Sequence, residues 1–390
     1  MGGKLRHFDW VQFLAMVALA AIGTVFIWSA GNARAEAVFH VMWKSTLVTA
    51  LAGLVPYFAL AFTDYRRVLG FLALPAYVVS LVLLVAVLFV GSTIYGGSRW
   101  LWFFQPSEIA KLCVLSLVAA LYGDRESPIG GFRTSFRGFL LALALVGVPT
   151  VLILAEPDLG TALTLVPAAL VMVFAAGVWR RGLVTLAAAG GLAALFVFGA
   201  VYEAEKPGVP AERRARILRL VPLKPHQVKR VKVFLFPEED VHGAGYNLRQ
   251  AQISIGSGGL RGKGIGKGET NHLKYLPQAI SMNDFIFCVY AEETGFVGSV
   301  VLLTLFGLLL LSGCRIAFVA GDGGGRLLAL GVTALVFAHV YVNIAMSIGL
   351  VPITGLPLPF ISSGRTFLLT VMCGLGLVQS ISIHREENNT

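Results

Sequence analysis

The sequence predicts an all-α polytopic membrane protein with about ten transmembrane helices. Of its 390 residues, 56% are hydrophobic and only 13% are charged, whereas a soluble globular protein carries about 25% charged residues. Ten long apolar runs follow one another, and a backbone at membrane depth must satisfy its own hydrogen bonds, which favours helices. The composition therefore excludes an ordinary soluble enzyme, a disordered chain and a disulfide-stabilised scaffold.

The ten apolar runs define the predicted spans. They cover residues 11–30, 45–62, 68–90, 106–123, 138–155, 159–179, 183–202, 285–313, 327–350 and 365–383. The third run carries no charge along its whole length, whereas the fourth and eighth runs carry charged residues. The first run precedes Ala33-Arg34-Ala35, which resembles a signal-peptidase site. Because this run is longer than the apolar core of a signal peptide, we interpret it as an uncleaved anchor.

Lysines and arginines in the short loops place both termini in the cytoplasm. Short cytoplasmic loops carry an excess of these residues, and an even number of spans returns the chain to its starting side. The basic residues assigned to the inner side are Lys4, Arg6, Arg66, Arg67, Arg125, Arg133, Arg137, Arg180, Arg181, Arg315, Arg326 and Arg385. The opposing short loops hold Arg34 and Arg99.

We expect one membrane domain over residues 1–390, with a large basic extracytoplasmic loop at 204–283 between the seventh and eighth helices. This loop holds 14 of the 31 lysines and arginines but six acidic residues, a net charge of +8. Long loops escape the orientation rule, so the topology stands. The charge favours anionic headgroups or a phosphorylated lipid as the partner over nucleic acid. A solvated loop that rests on lipid phosphates would explain it as well.

A glycine-rich stretch, SIGSGGLRGKGIGKG, lies within this loop from Ser254 to Gly268. Glycines allow a backbone to approach a ligand closely, and the interleaved Arg261, Lys263 and Lys267 would attract phosphate. The stretch lacks the Lys-Ser/Thr ending of a Walker loop. A flexible loop would explain the glycines about as well as a phosphate site.

Ionisable residues at membrane depth usually line a cavity or a site. Glu108 and Lys111 are three residues apart and share a helix face, so they could form either part of a site or a helix-stabilising ion pair. Asp158 lies at the outer junction of the fifth and sixth spans. Asp284 opens the eighth span, where it could serve as a functional carboxylate or as a helix N-cap.

The segment from Gly349 to Gly364 contains four prolines and several glycines but is largely apolar. It predicts a broken or re-entrant element that lines a cavity, with a tight apolar hairpin as the alternative.

His339, alone in an apolar run, is interpreted as a packed core residue. The four cysteines, at positions 113, 288, 314 and 373, show no C-x-x-C spacing, so neither a metal cluster nor a disulfide framework is predicted.

Five ordered motifs carry a family resemblance. They are FQPSEIAK (Phe104–Lys111), EPDLGTAL (Glu156–Leu163), GAGYNLRQAQISIGSGGLRGKG (Gly243–Gly264), DFIFCVYAEETGFVG (Asp284–Gly298) and NIAMSIGLVPITGLPLPFIS (Asn343–Ser362). Together they resemble the SEDS family, the bacterial membrane proteins of shape, elongation, division and sporulation. DYRR (Asp64–Arg67) and the FDW before the first span are more similar to the elongation branch than to the division branch.

The resemblance implies a ten-helix peptidoglycan glycosyltransferase that polymerises lipid II outside the bacterial cytoplasmic membrane. Asp284 matches the family's catalytic aspartate, while Glu108, Lys111 and Asp158 match motifs that border the catalytic cavity. The residues that match loop motif positions are Gln227, Arg230, Tyr246 and Asn247. A class B penicillin-binding protein, which is a transpeptidase, is the partner that the resemblance implies.

The chemistry needs a base and positive charge. An acceptor sugar hydroxyl would attack C1 of a glycan linked to polyprenyl diphosphate, and Asp284 would take the hydroxyl proton. The leaving diphosphate needs compensating charge, either from a divalent cation or from basic side chains such as Lys111, Arg261 and Lys263. No nucleotide is required, because the lipid diphosphate carries the activation. The expected partners are lipid II, the lipid-linked glycan and membrane lipids, not nucleic acid.

The chain departs from the family pattern in three places. Leu276–Asn283 has Gln278 where relatives have Glu and is two residues longer, and Gly268-Glu269-Thr270 replaces GTQ. Arg365 lies in a segment where the family has S-Y-G-G-S and could add a phosphate contact. Two other functions fit the same residues: a transporter of lipid-linked precursors and a non-catalytic scaffold of a cell-wall synthase.

Overall fold

The computed structural model describes residues 6–32, 41–94, 97–101, 104–124, 129–156, 158–206, 208–240, 242–272, 276–277 and 281–385. In chain order its elements are α1 (Trp10–Asn32), α2 (Met42–Phe62), α3 (Tyr65–Val90), β1 (Ser92–Ile94), β2 (Gly97–Trp100), α4 (Pro106–Tyr122), α5 (Phe136–Ala155), α6 (Leu159–Ala175), α7 (Arg180–Ala204), α8 (Ala211–Arg219), α9 (Pro225–Leu235), α10 (Ala244–Ser257), α11 (Glu269–His272), α12 (Ile286–Val319), α13 (Gly323–Ser347) and α14 (Arg365–Ile383).

Each predicted span corresponds to one long helix, so the prediction of an all-α bundle is confirmed. Eight of the described helices are long and apolar enough to cross a membrane, and α4 and α6, each of 17 residues, are shorter helices at the positions of the fourth and sixth predicted spans. Most of α13 and α14 is buried at the centre of the bundle, whereas α7 is almost wholly exposed at its periphery. One short antiparallel hairpin, β1–β2, lies between α3 and α4 and was not predicted.

The polar segment between α7 and α12 folds into the short helices α8–α11. Leu248 and Ala251 of α10 pack against Phe285 and Cys288 in a small apolar cluster. Burial of this apolar face fixes α10 against the start of α12. The segment that the sequence presented as a loop is therefore attached to the bundle beside Asp284.

The glycine-rich stretch packs into a kink of α12. Gly295 breaks the helix with φ +70°, a conformation that favours glycine, and a Cβ there would lie 2.3 Å from the backbone N of Gly262. Backbone groups around the break pair with the stretch as follows: Phe296 N to Gly259 O (2.8 Å), Val297 N to Leu260 O (3.1 Å), Lys263 N to Glu292 O (3.0 Å) and Gly264 N to Glu293 O (3.0 Å). In an unbroken helix, the α12 groups in these pairs would bind other backbone groups of α12. Here the glycine-rich stretch supplies their partners, so its glycines have a structural role.

The proline-rich segment before α14 is re-entrant, as predicted. Residues 351–358 have no regular structure, and Leu356, Leu358 and Phe360 are buried. A Cβ on Gly23 of α1 would lie 2.1 Å from Phe360 O. Gly23 is nine residues before the end of α1, so the segment reaches roughly 13 Å below that end of the helix.

Candidate active site

Asp284 lies in the turn immediately before α12 and is half-buried. It is not the helix N-cap: Phe285 has that position, and no side-chain cap hydrogen bond is present. The N-cap interpretation of Asp284 is therefore wrong. Asn343 of α13, which is fully buried, donates from Nδ2 to the backbone carbonyl of Asp284 at 2.9 Å. The turn is held by its backbone, so the Asp284 carboxylate is not used to start the helix.

The re-entrant segment forms the wall beside this carboxylate. A Cβ on Gly355 would lie 3.5 Å from Asp284 Oδ2, and Gly355 has φ +75°. The neighbouring carbonyl of Thr354 accepts a hydrogen bond of 3.0 Å from Arg230 Nη1. Asn343 also donates to Leu356 O at 2.7 Å. Asp284 and Arg230, which the sequence predicted as site residues, therefore lie beside adjacent residues of the re-entrant segment, Gly355 and Thr354.

Two serines fasten the same turn from the other side. Ser362 Oγ donates to the carbonyl of Asn283 at 2.6 Å and accepts from Leu358 N at 2.8 Å. Ser363 Oγ donates to the Asn283 side chain, and Ser363 N donates to the carbonyl of Met282 at 3.2 Å. Arg365 follows as the first residue of α14 and is exposed. Arg365, which departs from the family pattern, is therefore a cation two residues after Ser363, which contacts this turn directly.

Glu108 and Lys111 form a buried ion pair, as their spacing predicted. Lys111 Nζ lies 2.9 Å from Glu108 Oε2 and 2.9 Å from His339 Nε2, and all three residues are at most 3% exposed. The ring of Phe367 covers both Lys111 and His339, with centroid distances of 5.4 Å and 4.4 Å. His339 is a packed core residue, as expected, but its contact with Lys111 was not predicted.

Asp158 has a structural function in addition to its predicted place in the site. It is the N-cap of α6, where Oδ1 accepts from Thr161 N at 3.1 Å and Oδ2 accepts from Thr161 Oγ1 at 2.8 Å. Gln105 Nε2, just before α4, donates to Oδ2 at 2.9 Å. These hydrogen bonds join the beginnings of α4 and α6, so Asp158 lies close to the Glu108 ion pair.

Helix α13 connects the ion pair to the Asp284 turn. His339 contacts Lys111, and Asn343 binds the backbone of Asp284 and Leu356. The two α13 residues are four positions apart, which places them on one face about 6 Å apart along the axis. The candidate site therefore combines the half-buried residue Asp284 with the buried cation Lys111, both contacted by one face of α13.

Glu292, to which the sequence assigned no function, anchors the glycine-rich stretch. Its side chain is 1% exposed. The donors to it are Lys263 Nζ (2.9 Å), Ser254 Oγ (3.0 Å), Glu269 N (2.8 Å) and Thr270 N (3.3 Å). Partial burial opposes the charge of Lys263, but the hydrogen bond and charge of Glu292, with Glu269, raise the pKa of Lys263 above its ordinary value. Lys263 therefore neutralises a carboxylate of its own chain.

Glu293 is a second anchor that sequence reasoning missed. Ser29 Oγ of α1 donates to it at 2.6 Å, and Gly266 N donates to its Oε2 at 3.1 Å. The sequence did contain a signal, because two adjacent carboxylates in an apolar helix must find donors. The glycine-rich stretch and the two residues that follow it supply these donors: Gly266 N for Glu293, and Glu269 N and Thr270 N for Glu292.

The remaining predicted loop residues differ in their surroundings. Gln227 is buried at the start of α9, where its Oε1 accepts from Lys224 N at 3.0 Å. Tyr246 and Asn247 lie half-buried in the first turn of α10, and Arg261 is exposed. Gln278 lies outside the described residues. Within the described ranges, no group of three His, Cys, Asp or Glu side chains could hold a metal ion.

Comparison with known proteins places this architecture in a family. The family model for FtsW, RodA and SpoVE, described as "Cell cycle protein", matches residues 9–387. "Peptidoglycan glycosyltransferase MrdB" of Escherichia coli (strain K12) is 36% identical over 385 residues, which cover 97% of this chain and 95% of that protein. "Probable peptidoglycan glycosyltransferase FtsW" of Trichlorobacter lovleyi is 35% identical over 388 residues, which cover 97% of this chain and 94% of that protein.

Solved structures agree in fold. The crystal structure of the rod shape determining protein RodA from Thermus thermophilus matches with a TM-score of 0.66 at 29% identity, covering 97% of this chain and 98% of that one. A chain from a study of how a peptidoglycan synthase complex coordinates polymerization and crosslinking matches with a TM-score of 0.75 at 32% identity, covering 97% and 99%. The chain belongs to the FtsW/RodA/SpoVE family of cell cycle proteins, the SEDS family that its motifs predicted.

Proposed function

We propose that this protein is a peptidoglycan glycosyltransferase that polymerises lipid II into glycan strands, with Asp284 as the general base. The observation that carries the proposal is the position of Asp284: a half-buried carboxylate in a turn fixed by Asn343, facing Gly355 of the re-entrant segment. The names of the relatives support the reaction class. We assign the protein to cell elongation and shape on the DYRR and FDW motifs.

In the proposed reaction, the acceptor sugar hydroxyl attacks C1 of the glycan that is linked to polyprenyl diphosphate. The new C1–O bond forms as the bond from C1 to the diphosphate oxygen breaks, and the Asp284 carboxylate takes the hydroxyl proton. A carboxylate on a fixed turn is suited to this step, because the turn does not have to be ordered when the acceptor binds.

Positive charge near the turn would stabilise the leaving diphosphate. Arg230 lies at Thr354 and Arg365 lies two residues from Ser363, so both are close to the Asp284 turn. Lys111 is fully buried and paired, so it would act through its charge rather than by contact. A divalent cation would supply further charge and would take ligands mainly from the diphosphate oxygens and water, as Mg²⁺ commonly does.

An apolar groove between α2, α4 and α14 would accept the prenyl chain. It has a volume of about 410 Å³ and is lined by Phe104, Ile109 and Leu369 among others. Arg365, two residues after Ser363, also lines it. Burial of each prenyl CH₂ group away from water is worth about 0.8 kcal/mol, so such a chain belongs at membrane depth.

The proposal includes location and partners. The protein lies in the bacterial cytoplasmic membrane with both termini cytoplasmic and with Asp284 on the extracytoplasmic side. A class B penicillin-binding protein, a transpeptidase, would crosslink the strands, and the related chain from a peptidoglycan synthase complex supports such a pairing. Lipid II, the lipid-linked glycan and membrane lipids are the other partners, whereas no role for nucleic acid is proposed.

Polymerisation of labelled lipid II by the purified protein, with and without Mg²⁺ and the transpeptidase, tests the function. Removal of a general base typically costs 10²- to 10⁴-fold in rate, so we expect about this loss in Asp284→Asn. The matched control is Glu238→Gln, which removes an exposed carboxylate and should leave the rate unchanged. Unchanged polymerisation by Asp284→Asn would exclude Asp284 as the base.

The same variants separate the two rival functions. A transporter would move labelled lipid II across vesicles without forming polymer, and a scaffold would support growth regardless of Asp284, Lys111 and Asp158. The enzyme proposal requires polymer from the purified protein. If wild-type protein with its transpeptidase forms none but moves lipid II, the transporter is the better assignment.

A further inference from the structure

A polar cavity lies at the end of the bundle opposite Asp284. It has a volume of about 240 Å³ and lies between the beginning of α1 and the ends of α12 and α14. Three arginines line it, one from each of these regions: Arg6, Arg315 and Arg385. Asp9 is the one acidic side chain among the described residues that line the cavity. With His7 neutral, the lining has a net charge of +2.

Asp9 offsets only one of the three arginine charges. Asp9 accepts from Gln12 N at 2.9 Å at the start of α1, so its carboxylate already serves the helix. Arg315 Nη1 lies 4.0 Å from Asp9, at the limit of an ion pair, and its side chain is 71% exposed. Exposed pairs of this kind are weak. Arg385 Nη2 lies 2.7 Å from His7 Nδ1, which brings no negative charge.

The rim of the cavity is apolar and exposed. Trp10 is 56% exposed, Val11 is 46% exposed and Val319 is 37% exposed. An exposed tryptophan at the first residue of a membrane helix is typical of the boundary between lipid headgroups and hydrocarbon. The arginines therefore lie at headgroup depth, and the neighbouring surface of α1 and α12 is suited to acyl chains.

We propose that this cavity binds the headgroup of an anionic phospholipid. The phosphate would lie among Arg6, Arg315 and Arg385, because guanidinium groups bind phosphate oxygens in pairs. The acyl chains would run along Val11 and Val319. The apolar rim favours a lipid over a soluble phosphate compound, because only the lipid has acyl chains that can contact the rim. The site is at the other end of the helices from Asp284, so it does not depend on the proposed enzymatic function.

Lipid binding to the full-length protein tests the proposal. Purified protein in neutral detergent is titrated with tetraoleoyl cardiolipin, and the bound lipid is counted by native mass spectrometry. Each arginine near an anionic headgroup contributes about fivefold in affinity, so Arg315→Gln should weaken binding about fivefold and Arg315→Gln/Arg385→Gln roughly 25-fold. Arg315→Gln changes a mostly exposed side chain, so this variant remains informative if the double variant fails to fold.

The matched control is Arg181→Gln/Arg326→Gln, which removes two exposed arginines from the same end of the bundle but outside the cavity. Binding by this control should stay within twofold of wild type. Arg315→Lys/Arg385→Lys keeps the charge but not the paired hydrogen bonds, so its affinity should lie between that of wild type and that of Arg315→Gln/Arg385→Gln. Equal weakening by the control, equal binding of dioleoylphosphatidylcholine, or displacement of cardiolipin by glycerol phosphate at comparable concentration would each overturn the proposal.

Discussion

Glu292→Gln is the substitution that most directly tests how the glycine-rich stretch is held. The carboxylate accepts from a lysine, a serine and two backbone N–H groups, all within 3.3 Å. A glutamine keeps one oxygen acceptor, but its amide NH₂ faces groups that are themselves donors. About two charge-assisted hydrogen bonds are lost, each worth about 1.5–3 kcal/mol. Lys263 can turn to water in the variant, so we expect a net cost of about 3 kcal/mol.

Hydrogen exchange measures this cost locally. Opening of the stretch exposes the amides of Glu269 and Thr270, and a loss of about 3 kcal/mol corresponds to roughly 100-fold faster exchange. Peptides that cover residues 259–272 should show the change, whereas peptides from α14 should not. Lys263→Met should accelerate exchange only about tenfold, because Glu292 keeps its neutral donors and the lost amine was partly exposed.

Two outcomes would refute this reasoning. If Glu292→Gln leaves the exchange of residues 259–272 unchanged, the buried carboxylate does not hold the stretch. If Lys263→Met accelerates exchange as much as Glu292→Gln does, the ion pair alone is responsible and the backbone N–H groups contribute nothing. Glu238→Gln, an exposed acidic position, controls for the general loss of a negative charge.

The other predictions concern the re-entrant segment and the buried ion pair. Gly23→Ala should displace the re-entrant segment and lower the unfolding temperature, because its Cβ would lie 2.1 Å from Phe360 O. The control Gly190→Ala has open space around its Cβ, so it should be neutral or stabilise the protein by up to about 1 kcal/mol. Equal unfolding temperatures would contradict the placement of the segment. Lys111→Met should cost about 3–5 kcal/mol in denaturant unfolding by leaving Glu108 buried without its cation, and Glu108→Gln/Lys111→Met should recover part of that loss. A double variant less stable than the single one would contradict this account.

The sequence predicts the membrane helices well because length and hydropathy alone decide them. The Glu108–Lys111 pair follows from helical spacing, and the re-entrant segment follows from prolines in an apolar context. In each case the structure is determined by residues close together in the chain or by the need to satisfy backbone hydrogen bonds at membrane depth. The same logic fails for β1–β2, since a short hairpin between two spans leaves no hydropathy signal.

The contacts that build the candidate site are distant in the chain, and the sequence could not specify them. Asn343 reaches Asp284 across 59 positions, and Arg230 reaches Thr354 across 124 positions. In the sequence, Asn343 is recognisable only as the first residue of a motif, although a buried amide beside a proline-rich segment needs partners. Which carbonyls it would bind depends on how α13 packs, and that is a tertiary property.

The glycine-rich stretch shows that a pattern suited to phosphate is also suited to a buried carboxylate. Glycines with interleaved cations provide N–H donors and positive charge, and a buried carboxylate satisfies both as well as a phosphate does. The chain places two such carboxylates, Glu292 and Glu293, on the helix that begins two residues after Asp284. Because the stretch is anchored to α12 and α10 packs on the start of the same helix, the basic segment and the Asp284 turn share one support. A loop built in this way is linked to the Asp284 turn through α12, and Arg261 of the stretch remains exposed.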